Sequence, residues 1–247
     1  MANTHGYVLT IEEAGGVRRS NIEGELLNLN FSWEFIDGIK KDSSILHGLY
    51  SPIKNIIFSS NTLSDAEIAT YASHRLIWER IANGTARYGL VFEDDAHIID
   101  RSGFNRALAE ITAGDLQFEL VKFFDFNPKA IAVRRDAGTT QLVSHRLLSS
   151  GLVCYLVSRD AARKLLRRKK VYRSADEDLS HAWEFDLQVW SVVPNPVIEA
   201  QIAEAPSTLE PYRNAAKKTV IRSIFGTVLQ ALKQLRTRAY HRSLMRS

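Results

Sequence analysis

The chain has 247 residues, 45% of them apolar and 24% charged, which allows one large domain or a domain with an appendage and excludes a disordered or fibrous chain. A single cysteine, Cys154, excludes an internal disulfide; its apolar surroundings read as a core thiol in a reducing, cytoplasmic compartment. No signal peptide opens the chain, no apolar run approaches the roughly 20 residues of a membrane-spanning helix, and the net charge of +4 conceals an acidic body and a basic tail.

Tyr7–Ile11 reads as a first strand, Gly15-Gly16 as a loop, and Arg18-Arg19 as the opening of a helix through Ile22, Leu26 and Leu27. Phe31–Ile36 alternates as a second strand closed by the turn signal Asp37-Gly38, and this β-α-β start argues for a doubly wound sheet. Residues 40–60 show little periodicity and read mostly as loop. Ser64 and Glu67 have capping-box spacing and start a helix that ends at Asn83-Gly84. His74 rides on it, as a structural or a functional histidine.

Tyr88–Phe92 is an apolar run that ends in three consecutive carboxylates, Glu93, Asp94 and Asp95. A buried strand suits the run. Adjacent acids repel, and a divalent cation with oxygen ligands relieves them; a solvated acidic turn is the alternative. Strand alternation puts Glu93 and Asp95 on one side and Asp94 on the other. Ser102 is a cap for the next helix, through Phe104, Leu108 and Ile111. Phe118–Phe124 reads as a strand whose Lys122 is either an edge residue or a cation aimed at a site. One or two short strands fall between Ala130 and Val143, another at Gly151–Val157, and Ser158 caps a helix to Leu166 whose basic end, Arg167–Lys170, suits the helix dipole. A second acidic cluster, Asp176, Glu177 and Asp178, precedes a strand at Leu187–Val193 that Pro194 and Pro196 terminate.

In order and spacing these motifs resemble glycosyltransferase family 25, the bacterial lipopolysaccharide and lipooligosaccharide glycosyltransferases, related to collagen galactosyltransferases, over roughly Tyr7–Val197. The resemblance is carried by Arg18-Arg19 before Asp37-Gly38, Leu63-Ser-Asp-Ala-Glu-Ile68 with Ser73-His74-Arg75, Phe92-Glu-Asp-Asp-Ala96, Lys122, Tyr155-Leu-Val-Ser158 with Ala161-Ala162, and Ala175-Asp-Glu-Asp-Leu179. It implies an α/β fold, a GT-A-like nucleotide-binding sheet flanked by helices, over 1–210; the charge and periodicity of the chain itself add a basic amphipathic helical tail over 211–247.

The activity implied is metal-dependent transfer of a sugar, with galactose as one candidate, from a nucleotide-diphosphate donor such as a UDP-sugar to a cell-surface glycan acceptor, with inversion. In that reading Asp95 and Glu93 hold Mn2+ or Mg2+, and Glu93 and Asp94 assist or bind the nucleotide. Lys122, Arg18 and Arg19 meet the diphosphate, with His74 a further donor-binding candidate. Asp176 or Asp178 is the general base; a solvated helix N-terminus is the other reading of that cluster.

The tail holds nine Lys or Arg and no acid, and Val220, Ile221, Ile224, Phe225, Val228, Leu229, Leu232 and Leu235 recur at helical steps. Such a helix either lies on an anionic membrane, here the inner face of the cytoplasmic membrane, or packs on the domain. A non-catalytic sugar-nucleotide-binding or partner protein, or a metal-dependent nuclease or phosphotransferase, are the competing readings. No aromatic-basic interleaving supports a nucleic-acid partner.

Overall fold

The computed structural model describes residues 3–27, 29–59, 61–114, 118–200 and 220–245, the last stretch with side chains from Leu232 onward. The elements are β1 (Thr4–Thr10), α1 (Val17–Leu26), β2 (Ser32–Asp37), α2 (Ile45–Leu49), α3 (Pro52–Phe58), α4 (Asp65–Asn83), β3 (Tyr88–Glu93), β4 (Ala96–Ile98), α5 (Arg101–Ala113) and β5 (Leu120–Lys122), then β6 (Ile131–Ala137), β7 (Thr140–His145), β8 (Cys154–Ser158), α6 (Arg159–Leu166), α7 (Ala175–Leu179), β9 (Val189–Val193), β10 (Val197–Glu199) and α8 (Val220–Leu244). The fold is the expected mixed α/β arrangement.

One eight-stranded sheet runs in the order β2-β1-β3-β8-β5-β9-β7-β6. All its strands point one way except β8 and β7, so the sheet is mixed and not doubly wound throughout. The apolar run of β8 suits either direction, since a strand covered on both faces has the same composition parallel or antiparallel. The consequence is positional. The carboxyl ends of β1, β3 and β5 and the loop entering β8 share one edge of the sheet, where ligands of α/β folds bind.

The capping box of α4 forms as the spacing requires: Ser64 Oγ accepts from Glu67 N at 3.2 Å and the Glu67 carboxylate accepts from Ser64 N at 2.8 Å. The inward face of α4 (Ile68, Tyr71, Ile77, Trp78, Ile81) then packs on β1, β3 and α6. Two local expectations change. Residues 40–60 hold two short helices, the second started by Pro52 in its first turn, where a missing N–H costs nothing. The cap of α5 is Asp100, which accepts from Gly103 N at 2.9 Å; Ser102 sits inside the helix and donates to Asp100.

The tail's helix is formed, but its described half docks on the sheet domain through Lys233, Thr237, Tyr240, His241 and Leu244, steps of three and four residues. Tyr240 Oη accepts from Val189 N at 2.8 Å, and Lys233 Nζ donates to Ser180 Oγ at 2.7 Å. This half therefore packs on the domain, whereas Leu232 and Leu235 of the expected apolar stripe face outward. The stripe from Val220 to Leu229 and the boundary at residue 210 lie outside the described side chains and residues. No helix among the described residues is long and apolar enough to cross a membrane.

Candidate active site

The site begins where β3 stops. Tyr88–Phe92 are buried in the sheet and Glu93 pairs in register with Leu9 of β1. The strand ends at Glu93, and Asp94 and Asp95 form a turn. The two-residue alternation therefore fails here: Asp94 and Asp95 face the same partner. The Arg18 guanidinium bridges them, Nη1 to Asp94 Oδ1 at 2.8 Å and Nη2 to Asp95 Oδ2 at 2.7 Å, while Thr10 at the end of β1 donates to Asp94 Oδ2 at 2.6 Å. Arg18 is aimed by the start of α1, where Glu12 Oε2 accepts from Arg18 N at 2.9 Å and Arg19 N at 3.3 Å. The glycine pair allows this closure. Gly15 has φ +86°, and a Cβ on Gly16 would lie 2.2 Å from Glu12 Oε2.

One guanidinium does not balance three carboxylates. Burial raises the Asp94 pKa, against the Thr10 hydrogen bond and the Arg18 charge. Burial and the Glu93 charge push Asp95 up to about 7, outweighing Arg18. Asp95 Oδ1 is buried and has no hydrogen-bond partner among the described residues, and Arg18 Nε is in the same state. A buried carboxylate oxygen left open beside excess negative charge is an invitation to a cation or to a proton.

Glu93 is the most exposed of the three acids and turns the other way, to His74 Nε2 on α4 at 3.2 Å. His74 is enclosed, with its Nδ1 3.0 Å from the Tyr155 hydroxyl, so both ring nitrogens are engaged within the protein. Three residues earlier on α4, Tyr71 donates to Asp178 Oδ2 at 2.8 Å. Residues three apart on a helix are neighbours. Adjacent turns of α4 therefore tether the two acidic clusters that the sequence separates.

In the second cluster Asp178 is saturated. Arg168 Nε and Nη2 reach it at 3.0 and 3.2 Å and Arg173 Nη1 at 3.2 Å, in addition to Tyr71. Both arginines also hold Glu184, whose pKa is brought to about 2 by their hydrogen bonds and charge despite burial. Arg168 thus turns inward and does not simply complement the end of α6. Burial pushes Glu177 up to about 7, against Arg173 and Lys233. Asp176 and Glu177 are both partly exposed; Asp176 Oδ1 accepts from Glu177 N at 2.9 Å, while Glu177 Oε2 accepts from Ser59 Oγ at 3.2 Å.

Lys122 is buried at the end of β5, and the sheet edge reading of it does not hold. Its Nζ donates to Asp125 Oδ1, Ser149 O and Ser150 O, each at 2.9 Å. Gly151, at φ +97°, turns this loop where a Cβ would press on Phe124 at 2.7 Å. Asp125 further accepts from Ser191 at 3.0 Å and pairs with His145 at 3.3 Å; its pKa is lowered, because these bonds and the Lys122 charge outweigh burial. Lys122 is itself lowered by burial, with Asp125 and Asp176 opposing. Arg19 stands beside the acids without touching them: its guanidinium lies 4.0 Å over Phe35 and 3.7 Å from Asp37.

Of the expected residues, Glu93, Asp94, Asp95, Arg18 and His74 come together. Asp176 and Asp178 are joined to them through α4, Lys122 lies in its own cluster, and Arg19 is peripheral. The site also draws in Thr10, Glu12, Tyr71, Asp125, Arg168 and Arg173, which the sequence motifs leave out. Asp125 carried a signal, an acid directly after an apolar run, as at Glu93.

A family model described as glycosyltransferase family 25 (LPS biosynthesis protein) matches residues 3–180. The chain belongs to this family. The lipooligosaccharide biosynthesis protein lic2B of Haemophilus influenzae is 24% identical over 168 residues, covering 64% of this family 25 chain and 61% of that protein. The chain thus spans under two thirds of that relative's length. Among solved structures, a Drosophila β1,4-galactosyltransferase 7 mutant in complex with manganese, UDP-Gal and xylobiose superposes with a TM-score of 0.41 at 7% identity, over 83% of this chain and 75% of that one. A CMP:2-keto-3-deoxy-manno-octonic acid synthetase with CTP gives 0.42 at 8% identity, over 86% and 97%. Likenesses this distant assign no residue.

Proposed function

We propose that this family 25 chain is a glycosyltransferase of lipopolysaccharide or lipooligosaccharide biosynthesis. It moves a sugar, galactose being the first candidate, from a UDP-sugar to a glycan or glycolipid acceptor at a GT-A-like donor site. The observation that carries the reading is the unpartnered, buried Oδ1 of Asp95 in a cluster with more carboxylates than cations, at the carboxyl edge of the sheet. Among the described residues no three His, Cys, Asp or Glu side chains converge as a ready cage. The donor set therefore fits a hard cation, Mn2+ or Mg2+, that takes one or two carboxylates from the protein and the remainder from phosphate and water.

Asp95 would hold that cation, with Glu93 beside it. When bound, the cation offsets the charge that develops on the leaving diphosphate. Arg18 keeps Asp94 and Asp95 oriented before the donor arrives. Asp176, a partly exposed acid of the second cluster whose carboxylate meets no side-chain donor among the described residues, takes the proton of the acceptor hydroxyl. A single displacement with one base inverts the anomeric centre. Asp178 and Lys122 act as supports, Asp178 by fixing α7 and Lys122 by holding the Ser149–Ser150 loop.

Peripheral attachment at the inner face of the cytoplasmic membrane is proposed for the outward part of α8, where Leu232 and Leu235 accompany exposed Arg236 and Arg238. Flotation with anionic liposomes tests it: Leu232→Asp/Leu235→Asp should abolish recovery, and unchanged recovery rejects it. For the reaction, the test is transfer from a panel of nucleotide sugars to a truncated lipooligosaccharide, with Mn2+ or excess chelator. Transfer from one uridine sugar that chelator abolishes is expected. Full transfer in chelator overturns the metal reading, and no transfer from any donor overturns the enzyme.

A further inference from the structure

A line of four side chains runs from the core to the donor site. Trp78 Nε1 lies 2.9 Å from the Tyr155 hydroxyl oxygen, that oxygen lies 3.0 Å from His74 Nδ1, and His74 Nε2 lies 3.2 Å from Glu93 Oε1. Trp78, Tyr155 and His74 are buried to 1% exposure or less, so every polar atom must find its partner within the protein. An indole N–H only donates. The Tyr155 oxygen accepts it, and the Tyr155 hydrogen then needs an acceptor of its own. His74 Nδ1 is that acceptor. Its lone pair faces Tyr155, so the imidazole hydrogen sits on Nε2 and donates to the Glu93 carboxylate. The other tautomer would orphan the Tyr155 hydrogen and set a nitrogen lone pair against a carboxylate. An imidazolium would orphan the same hydrogen. Trp78, four residues after His74 on α4, also stacks on the imidazole with ring centroids 6.1 Å apart, which restrains the ring plane.

We propose that Trp78 and Tyr155 are positioning residues of the donor site: they fix His74 in its Nε2–H tautomer, and the tautomer orients the Glu93 carboxylate at the end of β3. The proposal rests on the reading of Glu93–Asp95 as the donor site. It explains why an enclosed histidine borders the acids without being free to meet a phosphate. It also gives Tyr155, a core residue by burial alone, a hydroxyl that matters more than its ring.

The test combines a spectroscopic and a kinetic arm on the full chain. Imidazole 15N shifts at pH 7 should show His74 as the Nε2–H tautomer, and Tyr155→Phe should abolish that preference. Tyr155→Phe should also raise the KM for the nucleotide sugar about 10-fold, as loss of an outer support typically does, with kcat changed little. His74→Gln, whose amide can still donate to Glu93, should retain more donor affinity than His74→Phe. In a Glu93→Gln background the Tyr155→Phe effect should vanish, because the chain acts through Glu93. Trp78→Phe is the second variant if Tyr155→Phe does not fold. An Nδ1–H tautomer in the wild type overturns the chain and leaves the donor site standing. An undiminished Tyr155→Phe effect beside Glu93→Gln reduces the chain to core packing and overturns the proposal. A wild-type KM for Glu93→Gln, with the tautomer as assigned, faults the donor-site reading itself, and the proposal falls with it.

Discussion

Glu93-Asp94-Asp95 and Asp176-Glu177-Asp178 carry the same three formal charges in the sequence and meet opposite surroundings in the fold. In the first run Asp94 and Asp95 share one guanidinium, that of Arg18, and Asp95 Oδ1 has no hydrogen-bond partner among the described residues. The second is met by Arg168 and Arg173, which enclose Asp178 together with Tyr71, and by Lys233 from α8. Unmet charge is the property that a substrate or cation can use; met charge holds the scaffold. The clusters are therefore not equivalent halves of a site. One is poised for a ligand, and the other is mostly a clasp with Asp176 at its margin, partly exposed and held only by a backbone N–H among the described residues.

Substitutions that remove charge without changing shape should separate the two. Asp176→Asn should lower kcat for transfer on the order of 10²–10⁴-fold, with donor KM and melting temperature unchanged; a normal kcat moves the base elsewhere. Asp95→Asn should cost on the order of 10²–10³-fold in transfer while the protein melts no lower than wild type, because a repelled carboxylate has been neutralised. Asp178→Asn should do the reverse. It leaves buried Arg173 and half-buried Arg168 without that carboxylate and should destabilise by about 3 kcal/mol, read by urea unfolding, with donor affinity retained in the folded fraction. Equal stability of Asp95→Asn and Asp178→Asn would erase the contrast.

A smaller effect tests the electrostatics of the clasp. Glu177 has its folded pKa raised from the usual 4.5 to about 7, by burial above all. A raised carboxyl holds its proton in the fold after the unfolded chain has released it. Its contribution to stability is present below pH 4.5 and is lost as pH rises through about 7. Glu177→Gln should therefore gain in melting temperature relative to wild type between pH 5 and pH 8. An advantage that shrinks over that window contradicts the assignment.

The sequence made the first cluster legible because an apolar run ending in acids is a local pattern, and the sheet edge does the rest. The β-α-β start, the capping box of α4 and the caps at Ser64 and Ser158 were legible for the same reason. The direction of β8 was not, since burial on both faces leaves no trace of polarity in Cys154–Ser158. The role of Arg168 was hidden within a basic run that fits a helix end equally well. Tyr71 and Tyr155 looked like core because their rings are core; only three-dimensional contact shows what their hydroxyls bind. Of the tail's stripe only Leu232 and Leu235 are among the described side chains, and they face outward. Period 3.6 identifies a face, and α8 also has a second face, through Thr237, Tyr240 and Leu244, which is the one that docks.

The central claim is that Asp95 and its neighbours form the cation-assisted donor site. Electron paramagnetic resonance of Mn2+ tests it most directly, by titrating the ion into wild type and Asp95→Asn with and without UDP. Because Asp95 offers one open carboxylate oxygen, wild type should bind Mn2+ weakly alone and far more tightly with UDP, and Asp95→Asn should lose the UDP-dependent gain. Equal UDP-dependent Mn2+ binding in the two proteins would contradict the account.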